Sequence, residues 1–197
     1  FIVKLRADGA APLLWATYYG GGGQEYASGI AIDTITSAIY IVGYAVGGGR
    51  MDSLFVQPGA HNDTIGSGFI LKFNTQGVRQ WATRFGTPAN TERINGISIG
   101  GSGNQYKCIV GNVQAVGLPI VNPVVDSIFN PLPGRQDGFV AVFDGADALY
   151  RSHYWGDQAF MTTVNVMGCN AVVMDTLGNY FVTGTSELNS GLPVFTA

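Results

Sequence analysis

Charge is scarce in this chain. Asp, Glu, Lys and Arg make up 12% of its 197 residues, about half the usual fraction, which argues against disorder and against a strongly solvated helical surface. The formal net charge of −3 leaves no basic face for a phosphate backbone, so nucleic acid is not an expected partner. Cysteine is nearly absent: Cys108 and Cys169 do not make a disulfide framework. Each lies in or beside an apolar strand pattern and reads as a buried free thiol, with a bridge between neighbouring repeats as the alternative. No apolar run reaches the roughly 20 residues of a membrane-spanning helix, and no charged-then-apolar leader is present. A soluble chain without a transmembrane segment is therefore expected. No stretch sustains a helical period.

Glycine is abundant instead. Its 29 residues are about twice the usual share, as expected where short strands are joined by tight turns. The strands themselves recur. Phe1-Ile2-Val3-Lys4-Leu5, Phe69-Ile70-Leu71-Lys72-Phe73 and Phe139-Val140-Ala141-Val142-Phe143 each open a segment of the same plan, and self-similarity at fixed spacing points to a stacked or circular architecture. After a polar turn comes an aromatic strand: Trp15-Ala16-Thr17-Tyr18-Tyr19-Gly20, Trp81-Ala82-Thr83-Arg84-Phe85-Gly86, and Arg151-Ser152-His153-Tyr154-Trp155-Gly156. The tryptophan of the first two copies is an arginine in the third. A third strand is expected from Gly29, Gly96 and Ala171, and a fourth ends at Gly43, Gly111 and Gly184. Hairpin signals join these two, clearest in Gly101-Ser102-Gly103-Asn104 and Asp175-Thr176-Leu177-Gly178-Asn179.

A connection of about 25 residues then leads to the next copy, a length that usually covers a surface or carries a function. Related pieces recur in these connections: Asp52-Ser53-Leu54-Phe55 with Asp126-Ser127-Ile128-Phe129, and Gly117-Leu118-Pro119-Ile120 with Gly191-Leu192-Pro193-Val194. Four antiparallel strands per repeat suit a β-propeller blade, whose sheets pack face to face and bury both faces of runs such as Ile39-Tyr40-Ile41-Val42. A ring needs roughly 4 to 8 blades, so the expectation is an all-β chain of about three blades, repeats near 1–68, 69–138 and 139–197, from a larger, incomplete ring. A parallel β-helix and a tandem of small sandwiches are the competing architectures. The start at Phe1, inside a strand pattern, fits an excerpt of a longer polypeptide.

The strand at 69–73, the Trp-Ala-Thr-Tyr-Tyr-Gly-Gly run at 15–21, Gly29-Ile30-Ala31-Ile32-Asp33, Gly103-Asn104, the strand at 40–44 and Pro58-Gly59-Ala60 together resemble the SBBP family of β-propeller repeats. The resemblance spans essentially the whole chain, and Gly77-Val78-Arg79-Gln80-Trp81 is similar to versions in large secreted proteins of Bacteroidetes-type bacteria. It implies an exported or cell-surface protein, of a kind often carrying a sorting domain for type IX secretion. It also implies a scaffold or adhesin-like role, with the remaining blades of the same polypeptide and a protein or glycan at the cell surface as partners. The family has no shared catalytic set or cofactor to carry over, and the third copy, with Arg151 for Trp, departs most from the pattern.

No enzyme activity or cofactor is expected from the residues either. Asp33 and Asp175 occupy matching positions and suggest paired acids, but each stands where a strand enters a turn, where Asp accepts local backbone N–H bonds. Gly100 fills that position in the second copy. His61 and His153 lack ligands at metal spacing. There is no Gly-x-Ser-x-Gly elbow, and the glycine runs at 20–23 and 47–49 lack the Lys and helix of a phosphate cradle. Aromatics are the remaining lead: Tyr18, Tyr19, Tyr26, Tyr44, Phe85, Tyr154 and Trp155 either fill spaces between blades or stack on sugars. Tyr19, Tyr44 and Trp155 are the candidate ligand contacts. In the alternative function, a carbohydrate-binding or carbohydrate-cleaving propeller, Asp52 or Asp63 lines a cleft.

Overall fold

A computed structural model describes residues 1–8, 12–21, 23–46, 60–123, 136–155 and 168–185. Asp52, the glycine run at 47–49, Pro58-Gly59, and the segments 126–129 and 191–194 lie outside the described residues. The twelve strands are β1 (Ile2–Leu5), β2 (Leu13–Thr17), β3 (Gln24–Ile32), β4 (Ile39–Val46), β5 (Gly68–Phe73), β6 (Arg79–Phe85), β7 (Arg93–Gly100), β8 (Tyr106–Val113), β9 (Asp137–Phe143), β10 (Leu149–Trp155), β11 (Gly168–Met174) and β12 (Tyr180–Thr185). All pairings are antiparallel. No α-helix occurs among the described residues, and no helix there is long and apolar enough to cross a membrane.

The strands form four sheets: β1-β2, β3-β4-β5-β6, β7-β8-β9-β10 and β11-β12. Each complete sheet is stitched across two copies of the repeat, taking the last two strands of one and the first two of the next. The long connections therefore run inside a sheet, from β4 to β5 and from β8 to β9. Their described parts lie along the outer strand. Residue 63 exchanges bonds with β6, where Arg84 N donates to Asp63 O at 3.0 Å, and Val121 bridges to Ser152 of β10.

Local chemistry sets the turns. Asn74, Asp144 and Asp175 each accept two backbone N–H bonds through Oδ1, closing the hairpins β5–β6, β9–β10 and β11–β12, the Asx arrangement that substitutes for a backbone turn. The left-handed residue that follows is Gly77 (φ 77°) in one hairpin and Asp147 (φ 63°) in the next.

The third strand of each copy starts earlier than the apolar pattern places it, at Gln24, Arg93 and Gly168. The cause is a β-bulge. Register slips between Ala27 and Gly29, between Ile94 and Gly96, and between Cys169 and Ala171, leaving Ser28, Asn95 and Asn170 as the extra residues and breaking the alternation that marks a strand. Opposite each bulge stands a glycine of the fourth strand. A Cβ on Gly43, Gly111 or Gly184 would collide with the carbonyl oxygen of Tyr26, Arg93 or Gly168.

The sheets pack face to face. β3 and β4 lie against β7, and β7 and β8 against β11. Tyr40, Val42, Ile70, Trp81 and Phe85 interlock with Ile94, Ile109, Phe139 and Phe143 between the two complete sheets. Ile39, Ile41, Phe69 and Leu71 meet Ile2 and Trp15 of the first sheet, and Cys108, Val110 and Val140 meet Cys169 of the last. Alternate residues of β4 thus enter different cores, so both faces of the strand are dry, and a fully buried ring such as Phe85 contributes roughly 2–3 kcal/mol. Both cysteines are buried free thiols.

Candidate interaction surface

The repeat register assigns Tyr19, Phe85 and Trp155 to one position, the end of the second strand. Phe85 is fully buried, its ring centroid 5.4 Å from Phe139 and 6.1 Å from Phe143. Tyr19, half-buried beyond β2, meets Phe73 edge-on at 6.1 Å and accepts a 3.0 Å hydrogen bond from Arg79 Nη1 on its hydroxyl. Burial outweighs the Arg79 charge and holds that phenol above its ordinary range. Beside it, Tyr18, Phe73, Val78 and Arg79 line a groove of about 410 Å³. Trp155, at the end of β10, packs on the core containing Cys108 and Cys169. This position fills space between sheets. Tyr19 and Trp155 serve different pairs of sheets, and no ring contact joins them to each other or to Tyr44.

Tyr44 has its own surroundings. It stands directly opposite Tyr26 in the β3–β4 ladder, and the two rings stack with centroids 5.2 Å apart and planes 19° from parallel. The Arg93 guanidinium lies over the Tyr44 ring, 5.2 Å from its centroid. Tyr26 and Arg93 are exposed. Tyr26, Tyr44 and Arg93 together make an aromatic platform beside a cation, suited to a planar or ring-shaped ligand bearing negative charge. Arg93 went unread in the sequence because the pattern places the start of its strand at Gly96; its position two residues before the bulge is the signal that finds it.

Among the described residues the acids and histidines do not assemble into a reactive group. Asp33 Oδ1 accepts from Ile35 N at 2.9 Å and from Asn104 Nδ2 at 2.9 Å, and Oδ2 accepts from Thr36. Burial works against its charge, but the hydrogen bonds from Thr36, Asn104 and Ile35 prevail and hold the carboxyl below the usual range. Asp175 is held low by Asn179, first through its side chain. Both carboxylates close turns, as their place at strand ends implies, and they stand in different sheets. Asp63 likewise accepts from Ile65 N at 2.8 Å. His61 lies between Phe85 and Phe143 with Nε2 lacking a hydrogen bond, and His153 is buried with Nδ1 unsatisfied. Burial pushes both imidazoles down, His153 to about 4 with the Arg151 charge as the second cause. Among the described residues no three of His, Cys, Asp and Glu gather as a metal site.

The densest polar group is structural and joins the two complete sheets. Asp147, buried in the β9–β10 turn, accepts from Tyr40 Oη (2.7 Å), Lys72 Nζ (2.7 Å) and Lys107 Nζ (3.0 Å). Lys107 also donates to Asp144 O at 2.6 Å. Burial, then the Asp147 charge, pushes the Tyr40 phenol above its ordinary range. A second closed group centres on buried Glu92. Its carboxylate takes the N–H and hydroxyl of both Ser67 and Thr87 and pins two connections together. Every acceptor in these two groups is occupied by the protein itself. Among the described residues the surface offers a partner the Arg93–Tyr44–Tyr26 platform and the groove beside Tyr19. The chain matches no protein-family model, and no curated protein is significantly similar to it.

Proposed function

We propose that the chain is a non-catalytic structural and interaction module: consecutive blades of a β-propeller belonging to a larger secreted or cell-surface bacterial protein of the SBBP type, in which it acts as a rigid scaffold or adhesin-like surface and travels as type IX secretion cargo. The observation that carries the blade reading is the repetition of one packing step. β3 lies on β7 as β7 lies on β11, and the bulged residue makes the same link each time, Ser28 Oγ donating to Ile94 O and Asn95 Nδ2 to Cys169 O (2.9 Å). Equivalent strands meeting equivalent strands at each step is the geometry of blades around an axis. The scaffold role is supported by hydrogen-bonded polar groups committed to holding sheets together. Antibody labelling of intact producing cells and of their medium tests the export; signal appearing only after lysis removes it.

A second reading, carbohydrate binding, is favoured by the Tyr26–Tyr44 stack capped by Arg93. The ligand class it suits is an acidic glycan, one sugar of which stacks on Tyr26 while the carboxylate of another sugar meets the guanidinium. On a glycan array the protein is expected to retain acidic glycans and to lose at least tenfold in affinity with Tyr26→Ala, since a stacking contact is worth about 1.4 kcal/mol. An array without a positive spot eliminates this reading and leaves the first.

A further inference from the structure

The last described piece of the β4–β5 connection ties the two complete sheets together. Asp63 is fixed to β6, its N–H donating to Thr83 Oγ1 and its carbonyl accepting from Arg84 N, both at 3.0 Å. Two residues earlier His61 reaches the other sheet, where its N–H donates to Asp147 O in the β9–β10 turn at 2.8 Å. The His61 carbonyl turns back and accepts from Trp81 Nε1 of β6 at 3.2 Å. Residues 60–65 are therefore a strap across the seam, bonded to a strand on one side and to a turn on the other. Both sheets that it joins are complete four-stranded sheets, so the strap stands whether or not the sheets are blades.

The imidazole of His61 is the wedge of this strap. Its centroid lies 6.2 Å from Phe85 of β6 and 5.5 Å from Phe143 of β9, and Nε2 is buried without a hydrogen bond. A neutral imidazole tolerates that place, because one of its nitrogens carries no proton. An imidazolium has N–H on both, and Nε2–H would be a charged donor shut among phenyl rings, a costly burial. The charged groups of the surrounding elements do little to offset this. Asp63, on the strap itself, attracts the proton, but its Oδ1 already accepts from Ile65 N. In the β9–β10 turn, Asp144 accepts from Ala146 N and Ala148 N, while Asp147 is set against Lys72 and Lys107, a trio with one net positive charge, and against the neutral Tyr40 phenol. On β6, the Arg84 guanidinium is a further cation, bonded to Thr64 O and Asn90 Oδ1. Burial accordingly holds the imidazole below its ordinary range against the pull of Asp63.

We propose that residues 60–65 form an acid-released strap: protonation of His61 unseats its ring from between Phe85 and Phe143 and frees the strap from the β9–β10 turn, opening that end of the seam while both sheets stay folded. Acid favours release because the released form binds more protons. A released imidazole takes its proton near pH 6.5, whereas the seated one does so only at lower pH, so the released population grows as pH falls through that range. At about pH 5.5, one unit below the ordinary value, the gain approaches roughly tenfold over neutral pH. A second strap supplies the contrast. Gly117 N and Leu118 N donate to Tyr154 Oη at 3.2 and 3.0 Å, and residues 117–121 include no titratable side chain, so that strap should hold.

Amide hydrogen exchange of the full chain, followed residue by residue by NMR at about pH 7.5 and 5.5 and corrected for intrinsic rates, tests the release. Protection at His61, Asp63 and Arg84 is expected to fall about five- to tenfold at the lower pH, with no change at Leu118 or at Val110 of β8. His61→Phe and His61→Gln remove the titrating ring with and without an aromatic in its seat, and the fall should vanish in both. Unchanged protection at the three amides of the parent chain overturns the proposal. So does a fall shared by Leu118 and Val110, since that marks loosening of the whole chain. A fall that persists in either folded variant assigns the effect to another group and overturns it as well.

Discussion

Asp147 holds a backbone conformation that its counterpart in the preceding hairpin meets with a glycine, Gly77. A left-handed residue with a side chain costs roughly 1–2 kcal/mol, offset here by three hydrogen bonds to Tyr40, Lys72 and Lys107. Removing the carboxylate leaves Lys107 nearly dry with only the Asp144 carbonyl. Asp147→Ala is expected to destabilise the protein by about 3–5 kcal/mol, the usual cost of breaking a buried pair. Tyr40→Phe should cost less, about 1.5–3 kcal/mol, the worth of one hydrogen bond to a charged acceptor. Urea unfolding midpoints of the two variants check the order, and equal losses would sink the network argument. Little of this site was legible beforehand. Lys72 stands out as a repeated lysine on an apolar strand and Asp147 as one polar residue of a turn, but their meeting depends on one sheet lying over the next.

At the scale of the strand, the bulge and its facing glycine are the recurring device. Gly111→Ala pushes a methyl into the Arg93 carbonyl and the Phe139 ring. The expected loss is roughly 3 kcal/mol, at the upper end for overpacking. Gly145→Ala, at a turn position with no atom nearer than 3.9 Å to the added carbon, should stay within about 0.5 kcal/mol of the parent. Thermal or urea denaturation of the pair separates a steric demand for glycine from a mere preference for turns.

The succession of strands along the chain, the hairpins and the glycines closing the fourth strands were readable from apolar runs and turn residues alone. The early starts of β3, β7 and β11 were not, because a bulge resets the alternation on which such reading depends, and Gln24 and Glu25 look like loop. Nor could periodicity tell whether a long connection lies within a sheet or between two. That choice is made by pairing partners such as Gly43 and Phe69, distant in sequence.

Across the whole molecule, acid is the condition that finds the seams between sheets. His61 and His153 are both held neutral by burial against neighbouring sheets or connections. The unfolded chain protonates its histidines near pH 6.5, whereas folded His153 does so only near 4. Between those values the unfolded state binds more protons. Stability from this source is therefore complete above about pH 6.5 and declines as pH falls towards 4, where it levels off. Asp33 and Asp175, with lowered folded pKa values, add losses at lower pH. His153→Thr, restoring the residue present at positions 17 and 83, should flatten the decline between pH 6.5 and 4.5 in urea titrations. An unchanged slope would place the acid sensitivity elsewhere.

The out-of-phase stitching of sheet and repeat has a consequence for ancestry. A gene segment duplicated at the period of the repeat brings half of one sheet and half of another, so a new copy cannot fold on its own account and is useful only when spliced to a neighbour. Unequal crossing-over between copies would lengthen or shorten such a chain by whole sheets while leaving every joint intact. The unit that is inherited and the unit that folds are different objects, and chain length can drift in whole steps without a partly folded intermediate ever being exposed to selection.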